Sequence, residues 1–310
     1  MEISVHNIST ASLFLSLLYF MLIIFSFQWS RRLRKKKRHA SASSFSFSLT
    51  RFFSYCVFLF SILRCVTFVT ICAFDYLGYD VRLNWFGVGG LSSTTNSQKF
   101  LARAMFVLIN MSDFMFLSMA VLLACVWAEV FQHARRHWFS PARLRKRWMI
   151  LYLSFNLVLY TSQIVLYMLM FTTTEGTATF SKIILVVLIS VNFAVPLVVV
   201  GGWFALSLCF AGFPFRSSTH ERKSNTITKV AVVWSIGRIV WASYATLWIV
   251  NPSVFAQATV QQALLVAVYV SAEVFPCLYF MFNKELSSNL VMVVDADDAS
   301  SSTSLLPPGE

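Results

Sequence analysis

Seven separate stretches of this sequence are apolar over the 20 or so residues that an α-helix needs to cross a bilayer. They run over 11–29, 52–74, 102–130, 149–171, 182–210, 229–250 and 259–282. A surface helix of a soluble domain is apolar along one stripe only, whereas these runs are apolar all round. They predict an all-α fold, a seven-transmembrane helix bundle over 11–282, between a short exoplasmic N-terminus at 1–10 and a disordered cytoplasmic tail at 283–310. The composition agrees, with 57% hydrophobic and only 12% charged residues among 310, about half the charge of an average soluble domain. The lipid bilayer is the expected solvent.

Charge alternates along the connections. The first carries Arg31, Arg32, Arg34, Lys35, Lys36, Lys37, Arg38 and Arg51, the third Arg135, Arg136, Arg143, Arg145, Lys146 and Arg147, and the fifth Arg216, Arg222 and Lys223. In the second, Arg82 and Lys99 are offset by Asp75 and Asp80; the fourth carries Glu175 and the sixth no charge. Basic residues accumulate in cytoplasmic loops, so the N-terminus is expected outside the cytoplasm (exoplasmic or lumenal) and the C-terminus inside it. The net charge of +12 is concentrated in the first and third connections, where it suits anionic lipid, and nucleic acid is not needed to explain it. No basic segment precedes the first apolar run, which therefore reads as an uncleaved helix. Asn7-Ile8-Ser9 is a weak glycosylation sequon, close to the first span for efficient use.

Catalytic and metal-binding patterns are missing. The sequence has no His-Glu-x-x-His, Gly-x-Ser-x-Gly or Gly-x-x-x-x-Gly-Lys. Its six cysteines all lie in apolar runs without zinc spacing, and His133 and His137 stand among arginines that repel a cation. No enzymatic activity, cofactor or metal is expected.

Four ionisable residues fall inside the spans, where each costs several kcal/mol unless paired or hydrated: Arg64, Asp113, Arg238 and Glu273. Sequence-adjacent helices usually pack together, so the expected intramembrane pairs are Arg64 with Asp113 and Arg238 with Glu273. Two readings stand for them, ion pairs that specify the fold or a polar cavity for a ligand or ion. Asn110, Gln163 and Asn192 are expected to form interhelical hydrogen bonds. Pro196 and Pro276 each remove a helix hydrogen bond within a span.

The seven-span topology is that of a G-protein-coupled receptor, but no Asp-Arg-Tyr follows the third span, and Phe275 stands before Pro276-Cys277-Leu278-Tyr279 where receptors carry Asn. A different family fits better. Trp127-Ala128-Glu129-Val130-Phe131, followed by Gln132, Ala134 and Arg135, resembles the aromatic-Ala-Glu-Ile-aromatic motif of the tobamovirus multiplication protein family. Gly201-Gly202, then Phe213-Pro214 and a basic loop, and Ala272-Glu273-Val274-Phe275-Pro276 are also similar to that family, and Arg64 matches its basic position in the second helix. The resemblance implies a non-enzymatic, seven-pass scaffold of the vacuolar, lysosomal or another endomembrane that recruits small GTPases and, in plant members, viral replication proteins. Trp127, Glu129, Arg135, Gly201, Gly202 and Pro276 are then the candidate motif and partner residues. A ligand-sensing receptor of the plasma membrane, and a transporter, are the alternatives. At Phe282-Asn283-Lys284-Glu285-Leu286 the chain departs from the family's terminal motif, which puts a partner site there in doubt.

Overall fold

The computed structural model describes residues 3–39, 45–78, 82–83, 96–135, 141–172, 177–209, 218–251 and 257–283. Among them seven helices are long and apolar enough to cross a membrane. In chain order the elements are β1 (Ile3–Ser4), α1 (Val5–His39), α2 (Phe45–Tyr76), β2 (Arg82–Leu83), α3 (Asn96–Arg135), α4 (Pro141–Thr172), α5 (Thr177–Cys209) and α6 (Ser218–Val250). The seventh span, Ala258–Phe282, is built of α7 (Ala258–Tyr269), a π-helical turn (Val270–Val274) and α8 (Phe275–Phe282). The tail from 284 onward and His137 lie outside the described residues.

Large apolar side chains cover the outward faces of the helices as well as filling the core. On α1, Ser12, Ser16, Ser26 and Ser30 are buried, while Leu13, Leu17, Phe20 and Met21 are exposed. That is the reverse of a soluble helix, and lipid is the medium that makes it stable: without a hydrophobic drive between spans, small residues face the neighbouring helix so that the backbones approach. Two of the hydroxyls are satisfied on their own helix, Ser16 Oγ donating to Leu13 O at 2.7 Å and Ser26 Oγ to Ile23 O at 2.9 Å, while that of Ser30 bonds Ser54 of α2. The thiols of α2 then reach the carbonyls of α1, Cys65 Sγ to Ser16 O at 3.6 Å and Cys72 Sγ to Ser9 O at 3.5 Å.

α3 is the central helix. Of its apolar window 67% is buried, against 17% for α4, and it packs on α2, α4, α5 and α6. α4 lies at the edge, with Leu157 and Val158 each 70% exposed. β1 pairs antiparallel with β2, Ile3 opposite Leu83 and Ser4 opposite Arg82, so the N-terminal segment and the α2–α3 connection share one end of the bundle. The helices also run past the apolar windows. α1 is unbroken through the basic run to His39, and α4 starts at Pro141, before Arg143 to Arg147. Much of what reads in the sequence as basic loop is thus helix.

Candidate functional site

The four charges inside the spans gather in one place. Arg64 on α2 and Glu273 on the π turn are fully buried, and Asp113 on α3 is 3% exposed. Arg64 grips Glu273 with two hydrogen bonds, Nε to Oε2 at 3.0 Å and Nη2 to Oε1 at 2.6 Å. The same Nη2 donates to Asp113 Oδ1, and Nη1 donates to the carbonyl of Ile109 at 3.3 Å. Four of the five guanidinium N–H groups are therefore used. Tyr19 Oη, from α1, donates to Glu273 Oε2 at 2.5 Å, and the ring of Tyr269 lies 4.7 Å from Arg64 Cζ. Planar, two-pronged contact of this kind is what guanidinium supplies and an ammonium does not.

Arg238 belongs to the same region but has a different set of partners. The expected pair with Glu273 does not form among the described residues, because Glu273 is held by Arg64. Arg238 Nη1 donates to Asn192 Oδ1 on α5 and Nη2 to the carbonyl of Ala272, each at 3.2 Å; its Cζ lies 4.0 Å from the centroid of Phe116, and its Nε has no hydrogen-bond partner. The reason lies in the backbone. Residue 276 is proline, so the i−4 carbonyl, that of Ala272, loses its ordinary α-helical donor. Gly237 brings α6 so close that a Cβ there would stand 2.8 Å from Ala272 O. The guanidinium one residue along therefore meets this carbonyl and not the carboxylate beside it. Trp234 Nε1, one turn earlier, donates to Pro276 O at 3.1 Å and the indole stacks on Phe116, centroids 4.6 Å apart. Trp234, Gly237 and Arg238 thus form one face of α6 that closes on the interrupted stretch of the seventh span.

Two arginines and two carboxylates make this buried quartet neutral in sum. Mutual pairing in a dry interior offsets much of the desolvation that each charge would incur alone. Tyr19, Trp234 and Gly237 are participants that the sequence alone did not single out. A tyrosine or tryptophan in an apolar run carries no signal by itself, whereas the Pro276 interruption is a signal that a carbonyl needs a new donor. Of the amides expected to bond between helices, Asn192 does so by accepting from Arg238. Asn110 Nδ2 donates instead to Phe106 O at 2.8 Å and Gln163 Nε2 to Tyr167 Oη at 2.6 Å, each within its own helix, because a partner one turn away is nearer than a neighbouring helix.

A second group joins the motif residues. Trp127 Nε1 on α3 donates to Thr228 Oγ1 on α6 at 3.0 Å. Its ring also lies 3.6 Å from where a Cβ on Gly202 of α5 would be. Trp127, Gly202 and Thr228 thereby join three helices, while Gly201 has open space beside it. Glu129 is half-buried two residues beyond Trp127, and Pro276 is buried at the α6 contact. Arg135 ends α3 and Asn7 lies in the first turn of α1; their side chains lie outside those described.

Comparison with known proteins gives one match. No curated protein and no solved structure is found to match the chain. Residues 6–294 match the family model described as the THH1/TOM1/TOM3 domain, an extent that takes in all seven spans, the buried quartet and the Trp127 motif. This multi-pass membrane chain belongs to the THH1/TOM1/TOM3 domain family, the tobamovirus multiplication protein-like group that its Glu129 and Glu273 motifs resemble.

Proposed function

We propose that this protein is a non-enzymatic scaffold of an endomembrane, vacuolar or lysosomal, which recruits cytosolic proteins to a basic surface at one end of the bundle. Small GTPases are the expected partners, and viral replication proteins where a plant host is infected. The N-terminus is lumenal and the C-terminus cytoplasmic in this reading, and anionic lipid shares the basic surface with the partners.

The supporting observation is where charges pair inside the bundle and where basic residues gather along the sequence outside it. Inside the bundle Arg64, Asp113 and Glu273 are engaged with one another. α1 is 35 residues long in all, about 52 Å at 1.5 Å per residue, against a hydrocarbon core of about 30 Å, so it extends beyond the bundle. Its last turns hold Arg34, Lys35, Lys36, Lys37 and Arg38, and α4 opens with Arg143, Arg145, Lys146 and Arg147. Helical basic projections are preorganised to receive an acidic protein surface, and they raise its rate of encounter.

The test is proximity labelling from the C-terminus in cells, followed by pull-down with the GTPase loaded with either nucleotide. Nucleotide-dependent recovery of a GTPase is the expected result. Recovery of secretory-pathway folding factors alone would remove the scaffold reading. A ligand-sensing receptor is the second reading, favoured by the π turn at Glu273, since such turns are frequent at functional sites. It requires a ligand-driven change in the bundle, whereas a transporter requires substrate flux in liposomes.

A further inference from the structure

A groove of about 480 Å³ lies between α3, α4 and α5, apart from the buried quartet. Its floor is Cys125, Trp127 and Ala128, all buried, while Leu151, Val198 and Ala205 on its walls are exposed. It therefore opens sideways out of the bundle, within the three apolar spans, and what lies beyond the opening is the acyl region of the bilayer. Its volume is in the range of small-molecule sites, about 300–1,000 Å³, and its lining is apolar apart from Gln132 and the two indole N–H groups.

Its two ends differ. Toward the bilayer centre it is lined by Val191, Ala194 and Phe155. At the other end stands Trp148, at the level where tryptophans mark the membrane interface. Trp127 Nε1 is engaged with Thr228, but the indole N–H of Trp148 has no acceptor among the described residues. Immediately before Trp148 come Lys146 and Arg147, both exposed. Lys146 points to the opposite side of α4, whereas Arg147 lies one helical turn before Leu151, a residue of the groove wall. An apolar slot in the membrane with a cationic side chain beside its outer end complements one kind of molecule, an amphiphile with a hydrocarbon chain and an anionic head.

We propose that this groove is a binding site for one anionic glycerophospholipid of the surrounding bilayer. One acyl chain lies along Ala128, Val198 and Ala205, and the phosphate-bearing head lies beside Arg147 and the indole N–H of Trp148. The absence of a side chain at Gly202 keeps the slot open beside Trp127, where an added Cβ would already be in van der Waals contact at 3.6 Å.

The experiment uses the purified full-length chain in detergent, with phosphatidylserine or phosphatidylcholine added, read by native mass spectrometry. Wild type should retain one phosphatidylserine in preference to phosphatidylcholine. Ala205→Trp, at an exposed wall position, should lose the bound lipid with its thermal melt unchanged. Arg147→Gln should keep lipid but lose preference, by about fivefold for the charge removed. Phosphatidylserine with brominated chains provides a measurement that does not depend on the folding of Ala205→Trp. It should quench tryptophan emission of wild type more than brominated phosphatidylcholine does, and the excess should shrink in Trp148→Phe. Equal retention by Ala205→Trp, an unchanged preference in Arg147→Gln, or equal quenching by the two brominated lipids would overturn the proposal. So would a dimer that Ala205→Trp dissociates, since the groove would then be a contact between copies of the chain.

Discussion

Arg64 and Glu273, 209 residues apart in sequence, meet side by side in the middle of the bundle with Nε–Oε2 and Nη2–Oε1 separations of 3.0 and 2.6 Å. The pair joins α2 to the π turn of the seventh span, and through Asp113 it joins both to α3. Arg64→Met would strand both carboxylates, and Arg64→Lys would keep the charge but lose the two-pronged geometry. Breaking a buried pair by removing one member costs about 3–5 kcal/mol. Arg64→Met should therefore abolish a cooperative melt of the detergent-purified protein, with Arg64→Lys recovering only part of it. A melt of Arg64→Met superimposable on wild type would remove the quartet from any role in stability.

Arg238 is expected to matter less. It has no carboxylate within ion-pair distance among the described residues, and its contacts with Asn192, Ala272 O and Phe116 are those of a well-packed polar group. Arg238→Met gives up hydrogen bonds worth about 1.5–3 kcal/mol each to a charged group, but it also removes the desolvation of a buried cation. Its loss of thermal stability should be smaller than that of Arg64→Met. The reverse order would mean that Asp113 and Glu273 rely on Arg238 through space more than on Arg64 by contact.

Two glycines give a matched comparison. At Gly237 a Cβ would stand 2.8 Å from a backbone oxygen, which has no flexible end to swing away, whereas at Gly201 it would meet nothing within 4 Å. Gly237→Ala should destabilise by about 1–3 kcal/mol through overpacking. Gly201→Ala should be neutral or stabilising by up to about 1 kcal/mol, the ordinary helix preference for alanine. Melting temperatures of the two variants measured side by side decide it; equal shifts would contradict the close approach of α6 to Ala272.

The Trp127–Thr228 hydrogen bond between α3 and α6 can be isolated by a double-mutant cycle with Trp127→Phe and Thr228→Val. A coupling of about 0.5–1.5 kcal/mol is expected for a neutral hydrogen bond. Additive effects would show that the Trp127 position acts through packing against Gly202 alone.

Orientation has its own test. A tag at the N-terminus should be protected in sealed endomembrane vesicles and a tag at the C-terminus should be digested. Both tags on one side would be incompatible with seven crossings.

The seven spans were legible in the sequence because lipid demands apolar side chains on every face, and no turn chemistry has to be read to see it. The four charges were legible for the opposite reason, since an ionisable group in such a span needs a partner. The choice of partner was not. Adjacency along the chain puts Glu273 opposite Arg238, but Glu273 also faces α1 and α2 across the seventh span, where Tyr19 and Arg64 reach it. The π turn at Val270–Val274 adds a residue to the helix, and no composition signal announces it. Asn110 and Gln163 misled because a polar side chain in a span has its own helix carbonyls and hydroxyls within reach before any neighbour's.

The proline at 276 interrupts the ladder of the seventh span, and the bond that takes over the orphaned carbonyl comes from another helix. The joint and the pin that holds it are thus on different parts: the interruption belongs to the seventh span, the guanidinium that bonds its carbonyl to the sixth. The seventh span cannot straighten or swing at this point without first releasing Arg238 and Trp234. Mechanically the last two spans are one lever, and a force applied at either end of one is delivered to the other.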